Sequence, residues 1–501
     1  MPNQLAVSPA PQLQRRLQAR HLTMIAIGGS IGTGLFLASG ASIAQAGPGG
    51  ALVAYGLIGL MVYCLMTSLG ELAAFMPLSG SFALYGARFV EPGFGFALGW
   101  NYWYNWAITV AVELVAAALV MQYWFPAIPG LVWSSLFLLI TFLLNFFSVK
   151  GFGEAEYWCS LIKVTTVILF VITGLMMIIG ILWQANPKVL TPWKLFTIND
   201  APFAGGLPAI LSVALIAGFS FQGTELIGIA AGESSDPQRT IPDAIKQIFW
   251  RILLFYGLAI VIISCLIPYT DKNLLNNDLS QISMSPFTLL FKRAGLAFAA
   301  SMMNAVILSA ILSAGNAGLY ASTRMLYTLA MQGMAPSCFA KLSSTGIPRT
   351  ALYATTAVAA LCFLSALFGE QKIYIWLLSA SAMSGFIVWV GIALSHYRFR
   401  RGYLLQGYDI HALPYRAKWF PCGPIMALIF CLLIMLGQGI PAFIDNSWNW
   451  QQLCMTYLGI PLFLLLWGGY RYYHKSSWVS YQAMDFNTYE KDNLSVESIN
   501  P

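Results

Sequence analysis

The sequence predicts an all-α membrane protein with twelve transmembrane helices, ten of which form two inverted repeats of five. Its 501 residues are 58% hydrophobic and only 9% charged, whereas soluble domains carry about 25% charged residues. This composition predicts a chain that crosses the bilayer many times. The repeat is predicted by glycine-rich interruptions in the first and sixth apolar stretches, because broken helices at corresponding positions are typical of inverted repeats.

Each of twelve apolar stretches provides the roughly 20 residues that a transmembrane helix needs. They predict a twelve-helix domain over residues 21–475, between an N-terminal tail of residues 1–20 and a C-terminal tail of residues 476–501. The predicted helices are 22–46, 50–74, 94–123, 130–148 and 157–184 in repeat 1 (22–184), 208–231, 250–268, 295–323, 350–368 and 373–396 in repeat 2 (208–396), and 422–440 and 452–471 in the last pair (422–471).

The distribution of basic residues predicts the orientation of the chain. If the N-terminus is cytoplasmic, the inner segments hold 19 of the 26 Lys and Arg residues and the outer loops hold six. Positive charge favours the cytoplasmic side, so we expect both termini in the cytoplasm. The net charge of +7 then reflects topology, and no nucleic-acid partner is expected.

The two glycine-rich interruptions predict a ligand site. Glycine and serine at this density do not sustain a straight helix, and in lipid a broken helix survives only where its freed main-chain groups line a cavity. The alternative is that these glycines only allow helices to pack closely. The interrupted segments are residues 27–34 (Ile-Gly-Gly-Ser-Ile-Gly-Thr-Gly) and residues 218–225 (Gly-Phe-Ser-Phe-Gln-Gly-Thr-Glu).

Each interruption offers main-chain groups of both polarities. In the first, the half-helix that restarts after Gly29, Ser30, Ile31 and Gly32 presents free amides and a positive dipole end to an anion. The preceding half-helix ends near Ile27 with free carbonyls, which attract a cation. Residues 218–223 repeat the pattern. Amides and carbonyls this close together suit a zwitterion.

Two carboxylates follow the second interruption. Ionisable residues at membrane depth are costly and are functional candidates by default. Glu225 comes two residues after Gly223 and is a candidate partner for a cationic substrate group, or else a structural hydrogen-bond acceptor. Glu233 lies about two helical turns further on the same side. It is a candidate inner gate, or else a solvated carboxylate at the membrane surface.

Lys163 lies inside the predicted fifth helix. Burial favours the neutral form of a lysine, so this residue is a candidate site for gaining and losing a proton. Its ammonium could also occupy a position that would otherwise hold a sodium ion. The alternatives are that it reaches to the membrane surface or forms a permanent ion pair, for which Glu156 is its one acidic neighbour at helical spacing.

The predicted third helix carries a cluster of aromatic residues. Tyr102 and Trp106 are four residues apart and share a face, where aromatic rings can bind an ammonium group. An aromatic belt at the membrane surface is the alternative, and we favour it or simple packing for Trp100 and Trp103. Glu113 faces an outer vestibule or pairs structurally, and the sequence leaves both open.

The sequence does not favour an enzyme. It has no HExxH, Walker loop or nucleophile elbow, and its eight cysteines and four histidines show no metal-ligand spacing. We therefore expect no metal and no cofactor.

Several segments resemble the amino acid–polyamine–organocation (APC) permeases. Residues 20–34, which begin Arg-His-Leu-Thr-Met-Ile, resemble the start of that family. Residues 218–226 and 232–234 resemble the family's sixth helix and the loop after it. Residues 70–73 (Gly-Glu-Leu-Ala) resemble the end of the family's second helix. The segments similar to its bacterial lysine-transporting members are residues 99–106, 151–158 and 395–403.

This resemblance implies a LeuT-type fold and import of an amino acid, L-lysine, across a bacterial inner membrane. It also implies that a proton gradient supplies the coupling ion. By that likeness, the main-chain amides of the first interrupted helix, up to Thr33, hold the substrate carboxylate. Main-chain carbonyls near Ile27 and Phe219, next to Ser220, hold the α-amine. Lys163 takes the cation position of sodium-driven relatives. The residues implied to hold the substrate side chain are Glu225, Tyr102 and Trp106.

Other functions remain open at this point. The chain could be an exchanger, a carrier for another amino acid such as arginine, or a lysine sensor that signals through a membrane partner. The last two helices could serve a homodimer contact.

Overall fold

The computed structural model describes residues 20–21, 24, 31, 33–36, 38–78, 80–147, 149–180, 192–234, 236–271, 274, 285–295, 299–438 and 450–486. This part of the chain is helical, and none of it forms a β-strand. The helices of its first half are α1 (Thr33–Phe36), α2 (Ala38–Phe75), α3 (Ser81–Phe89), α4 (Pro92–Met121), α5 (Gly130–Phe147), α6 (Val149–Ile178), α7 (Pro192–Leu195), α8 (Gly206–Ser220) and α9 (Leu226–Ala230).

The second half continues in the same way, with a π-helical turn at Ile252–Gly257 and short 3₁₀ turns between some helices. Its helices are α10 (Pro237–Arg251), α11 (Leu258–Leu266), α12 (Pro286–Arg293), α13 (Ala299–Met331), α14 (Arg349–Ala359), α15 (Ser365–Phe368), α16 (Glu370–Leu405), α17 (Cys422–Gly437), α18 (Trp450–Tyr457) and α19 (Gly459–His474).

Seven helices in the described part of the chain are long and apolar enough to cross a membrane. They show the helical multi-pass class that the composition predicts. The seven segments are Ala38–Phe75, Pro92–Met121, Gly130–Phe147, Gly151–Ile178, Ser301–Met331, Arg349–Phe368 and Glu370–Leu405. Shorter apolar helices lie at Gly206–Gly218, Phe255–Leu266 and Cys422–Gly437.

The long helix α2 contains the predicted boundary between the first two spans. Gly47 has φ +73° and Pro48 follows it. The chain therefore bends between residue 46, the predicted end of the first span, and residue 50, the predicted start of the second. A side chain is disfavoured at Gly47 because an added Cβ would lie 2.7 Å from the carbonyl oxygen of Pro202. The amides of Gly49 and Gly50 donate to that same oxygen, over 2.8 and 3.1 Å.

The C-terminal segment corrects one predicted boundary. Residue 475 was expected to end the domain, but Met484 and Phe486 are buried. Phe486 stacks on Phe89 with ring centroids 5.9 Å apart, and the Val479 amide donates to the carbonyl of Val90 over 2.9 Å. The domain therefore reaches at least residue 486. Two apolar residues in a polar stretch were too weak a signal to predict this packing.

A buried ion pair joins α2 to α16. Arg400 donates through Nε and Nη2 to the two carboxylate oxygens of Glu71, and both side chains are buried. The same carboxylate accepts from the Ala417 amide over 2.7 Å, and the His396 Nε2 lies 3.2 Å from it. This cluster ties the end of α2 to α16 and to the loop that follows.

Replacing Arg400 by methionine is expected to lower the free energy of unfolding by about 3–5 kcal/mol, because it leaves the buried Glu71 carboxylate without its main partner. The measurement is thermal unfolding of the purified protein in detergent. Arg401→Met is the matched control, since Arg401 is the next residue in the chain and is exposed. Equal shifts for the two variants would contradict this role of the ion pair.

Candidate functional site

The helix interruption predicted at residues 218–225 is present. Helix α8 ends at Ser220, residues 221–225 form turns, and α9 begins at Leu226. Gly223 has φ +94°, a conformation that favours glycine because a side chain is strained there. The break therefore follows directly from the glycine in this segment.

Glu225 lies in this break and is only 2% exposed. Its two carboxylate oxygens accept from the Gly223 amide over 3.3 and 3.1 Å. The Trp389 indole of α16 donates to Oε2 over 3.2 Å. A main-chain amide and an indole therefore help to hold a buried carboxylate at the break. The sequence predicted Glu225 as a site residue but did not reveal Trp389.

The first interrupted segment contacts the second. Gly34, in α1, packs against Ser220 so closely that an added Cβ would lie 2.5 Å from the Ser220 Cα. The Ser220 hydroxyl lies 3.2 Å from the hydroxyl of Tyr55, and the Tyr256 hydroxyl donates to its carbonyl oxygen over 2.7 Å. Tyr55 and Tyr256 had no signal in the sequence that set them apart from other buried tyrosines.

Replacing Gly34 by alanine is expected to lower the free energy of unfolding by about 1–3 kcal/mol, because the new methyl group would force the two interrupted segments apart. The measurement is again thermal unfolding in detergent. Gly56→Ala is the control, since an added Cβ there meets nothing within 4 Å. A Gly34 variant as stable as the Gly56 variant would contradict the close contact.

One of the two aromatic side chains predicted to line the site, Tyr102, interacts with Glu225, and the other, Trp106, lies next to it. Tyr102 and Trp106 are buried on α4, with ring centroids 6.3 Å apart, and Tyr102 interacts electrostatically with Glu225. Apart from each other, the Tyr102 hydroxyl and the Trp106 Nε1 have no hydrogen-bond partner among the described residues. Buried polar groups are normally paired, so these two are available to a ligand.

Helix α13 packs against this face of α4. An added Cβ at Gly318 would lie 2.9 Å from the Trp106 ring, and one at Gly315 would lie 3.6 Å from the Glu113 Cβ. Glu113 is buried, its Oε2 has no partner within the described ranges, and it interacts electrostatically with Lys163. The structure therefore places Glu113 inside the protein.

Lys163 does not reach to the membrane surface. It is 1% exposed, and its Nζ donates to the Ser313 hydroxyl of α13 over 3.0 Å and lies 3.8 Å from the Glu156 Oε1. The Ser313 hydroxyl in turn donates to the Glu156 carboxylate over 2.7 Å. Helical spacing in the sequence predicted Glu156 as a neighbour of Lys163. It could not predict Ser313, which lies on a helix far away in sequence.

Several predicted site residues cannot be placed in this geometry. Ile31 is buried and the main chain of Thr33 begins α1. The main chain of Phe219 belongs to α8 and that of Glu233 to the 3₁₀ turn Ala231–Glu233. The side chains of Thr33, Phe219 and Glu233, and all atoms of Ile27, Gly29, Ser30 and Gly32, lie outside the described residues.

The sequence profile of the amino acid permease family matches residues 21–481, almost the whole described domain. The chain belongs to this family. The amino acid permease resemblance predicted from residues 20–34 and 218–226 is therefore confirmed. Amino acid permeases are transporters rather than enzymes, and the seven apolar helices agree with a multi-pass membrane protein.

Three curated relatives match this permease over nearly its full length. The chain is 65% identical to the lysine-specific permease LysP of Escherichia coli (strain K12), over 98% of this chain and 100% of the relative. It is 51% identical to LysP of Lactococcus lactis, over 96% of this chain and 94% of the relative. It is 49% identical to the histidine permease HisP of Lactococcus lactis, over 95% of this chain and 98% of the relative.

Proposed function

We propose that this permease imports L-lysine together with protons across the bacterial inner membrane. The observation that carries the proposal is Glu225, a buried carboxylate at the helix break with the buried Tyr102 beside it. A carboxylate in this position suits the side-chain ammonium of lysine, and aromatic faces add cation–π attraction. The two relatives named as lysine-specific support this choice of substrate.

The two interrupted helices hold the backbone of the substrate. In this proposal the amides between Gly29 and Thr33 bind the carboxylate, because a helix start favours an anion. The carbonyls of Ile27 and Phe219 bind the α-ammonium beside Ser220. The contact between Gly34 and Ser220 supports this arrangement, since it brings the two segments to one place.

Lys163 carries the coupled proton, and Glu233 closes the cytoplasmic gate. Lys163 is buried beside two acidic side chains, Glu156 and Glu113. Burial favours the neutral amine of Lys163, and an ionised acidic neighbour favours its ammonium. Entry of a lysine cation and a proton is driven by about 2.3 kcal/mol per charge for each 100 mV of inside-negative potential.

The architecture that we propose is a LeuT-type fold of twelve helices, with both termini in the cytoplasm and two inverted repeats of five. Transport follows alternating access, in which the predicted helices 1, 2, 6 and 7 rock against helices 3, 4, 8 and 9. The break between α8 and α9 supports a hinge in the sixth predicted helix.

Competition of radiolabelled lysine uptake into proteoliposomes by each other amino acid, at two outside pH values, tests this function. Unlabelled lysine is expected to compete fully, arginine and histidine poorly, and uptake to rise at the lower pH. Histidine competing as well as lysine would contradict the substrate assignment and favour a function like that of HisP. Lysine exchange without any pH-driven accumulation would identify an exchanger.

A further inference from the structure

Glu156 is a buried carboxylate to which the proposed transport cycle gives no role beyond its position near Lys163. It is 1% exposed and lies on α6, seven residues or two helical turns before Lys163. The Ser160 hydroxyl of the same helix donates to its Oε1 over 3.3 Å. A buried ionisable group in a membrane protein is a functional candidate.

Ser313 joins Glu156 to Lys163 in one continuous chain of hydrogen bonds. The Lys163 ammonium donates to the Ser313 oxygen over 3.0 Å, and the Ser313 hydroxyl donates to either Glu156 oxygen over 2.7 Å. A hydroxyl can accept one proton while it donates its own. The direct distance from the Lys163 Nζ to the Glu156 Oε1 is 3.8 Å, so the hydroxyl provides the shorter contacts.

This chain of hydrogen bonds leads toward the cytoplasmic end of α6. Lysine side chains in helices point back toward the helix N-terminus, and the basic residues predict that α6 starts on the cytoplasmic side. Glu154, two residues before Glu156, is paired with Arg20 and lies 3.3 Å from the His21 Nε2. Glu154 is 31% exposed, so the accessible edge of the protein lies close to Glu156.

We propose that Ser313 and Glu156 form the route by which the coupled proton leaves Lys163 for the cytoplasm. An N–H bond of the Lys163 ammonium breaks as the Ser313 oxygen takes that proton, while the Ser313 O–H proton passes to Glu156. The ammonium becomes a neutral amine and the carboxylate becomes a carboxylic acid, so charge and atoms balance and no electrons are transferred.

The other ionisable groups near Lys163 fit this direction of transfer. Glu113 faces it from α4 and Cys159 from its own helix. Glu113 interacts electrostatically with Lys163 but is not part of the chain of hydrogen bonds to Ser313. Because Glu156 is buried, release of the proton to water requires a movement that exposes this side chain. The inference rests on the proposed role of Lys163.

Two assays in proteoliposomes test the route: lysine counterflow without a gradient, and lysine accumulation driven by a pH gradient with the membrane potential clamped at zero. For Glu156→Gln we expect counterflow within about twofold of the unmodified protein. Accumulation is expected to fall by about 100-fold in initial rate, the scale of a lost proton-transfer group. Ser313→Ala is expected to act in the same direction, and Ser313→Thr, which keeps the hydroxyl, to restore accumulation.

Ser309→Ala is the matched control, because the Ser309 hydroxyl donates to the Val306 carbonyl of its own helix over 2.7 Å. Glu156→Gln with an unchanged pH-driven rate would overturn the proposal, as would equal loss of counterflow and accumulation in folded protein. If the unmodified protein itself showed no lysine counterflow or no pH-driven accumulation, the proposed function would fail instead, which separates the two outcomes.

Discussion

Replacing Glu225 by glutamine is expected to abolish high-affinity lysine binding. Glutamine keeps the shape of the side chain and an oxygen that can accept from Gly223 or Trp389, but it removes the charge that we propose faces the substrate ammonium. Loss of one partner of a buried charge pair costs about 2–5 kcal/mol, which is at least about 30-fold in dissociation constant. Isothermal titration calorimetry of purified protein with lysine measures this change.

Glu370→Gln is the control for Glu225→Gln. Glu370 accepts from Gln122 over 2.6 Å and begins α16, far along that helix from Trp389. Its replacement is expected to leave lysine affinity unchanged. Lysine binding by the Glu225 variant with the affinity of the unmodified protein would exclude Glu225 as the side-chain partner.

Replacing Lys163 by arginine is expected to uncouple lysine uptake from pH. Arginine keeps a positive charge near Glu156 and Glu113 but is not deprotonated in proteins. The variant therefore keeps the charge of Lys163 and removes its ability to release a proton. Initial rates of radiolabelled lysine uptake, measured over a series of outside pH values at constant inside pH, are expected to become independent of pH while counterflow is retained.

Lys163→Met removes the charge as well and is expected also to lower stability by about 3–5 kcal/mol, because it leaves buried carboxylates without a cation. Lys292→Met, at an exposed residue of α12, is the control for both variants. If Lys163→Arg and Lys163→Met both kept the pH profile of the unmodified protein, Lys163 would be rejected as the proton site.

Local signals in the sequence predicted much of this molecule. Glycine density located the break between α8 and α9, because Gly223 adopts a positive φ that other residues avoid. Four-residue spacing placed Tyr102 and Trp106 on one face of α4, where the two rings are in contact and Tyr102 interacts with Glu225. Helical spacing also gave Glu156 as the acidic neighbour of Lys163.

The remaining features depend on contacts between distant parts of the chain. Trp389 reaches Glu225 from 164 positions away, and Ser313 reaches Lys163 from 150 positions away. A serine or tryptophan in an apolar helix looks the same in sequence whether it faces lipid, core or a site. The packed segment around Phe486 was missed for a similar reason, since its partner Phe89 lies almost 400 residues earlier.

The central claim is that two interrupted helices bind both charged groups of a zwitterion. The most direct test compares the binding of lysine, cadaverine and 6-aminohexanoate to the purified protein by calorimetry. Cadaverine lacks the carboxylate and 6-aminohexanoate lacks the α-ammonium, so each leaves one set of main-chain groups unpaired. The account predicts that both bind at least about 30-fold more weakly than lysine. Either compound binding as tightly as lysine would contradict it.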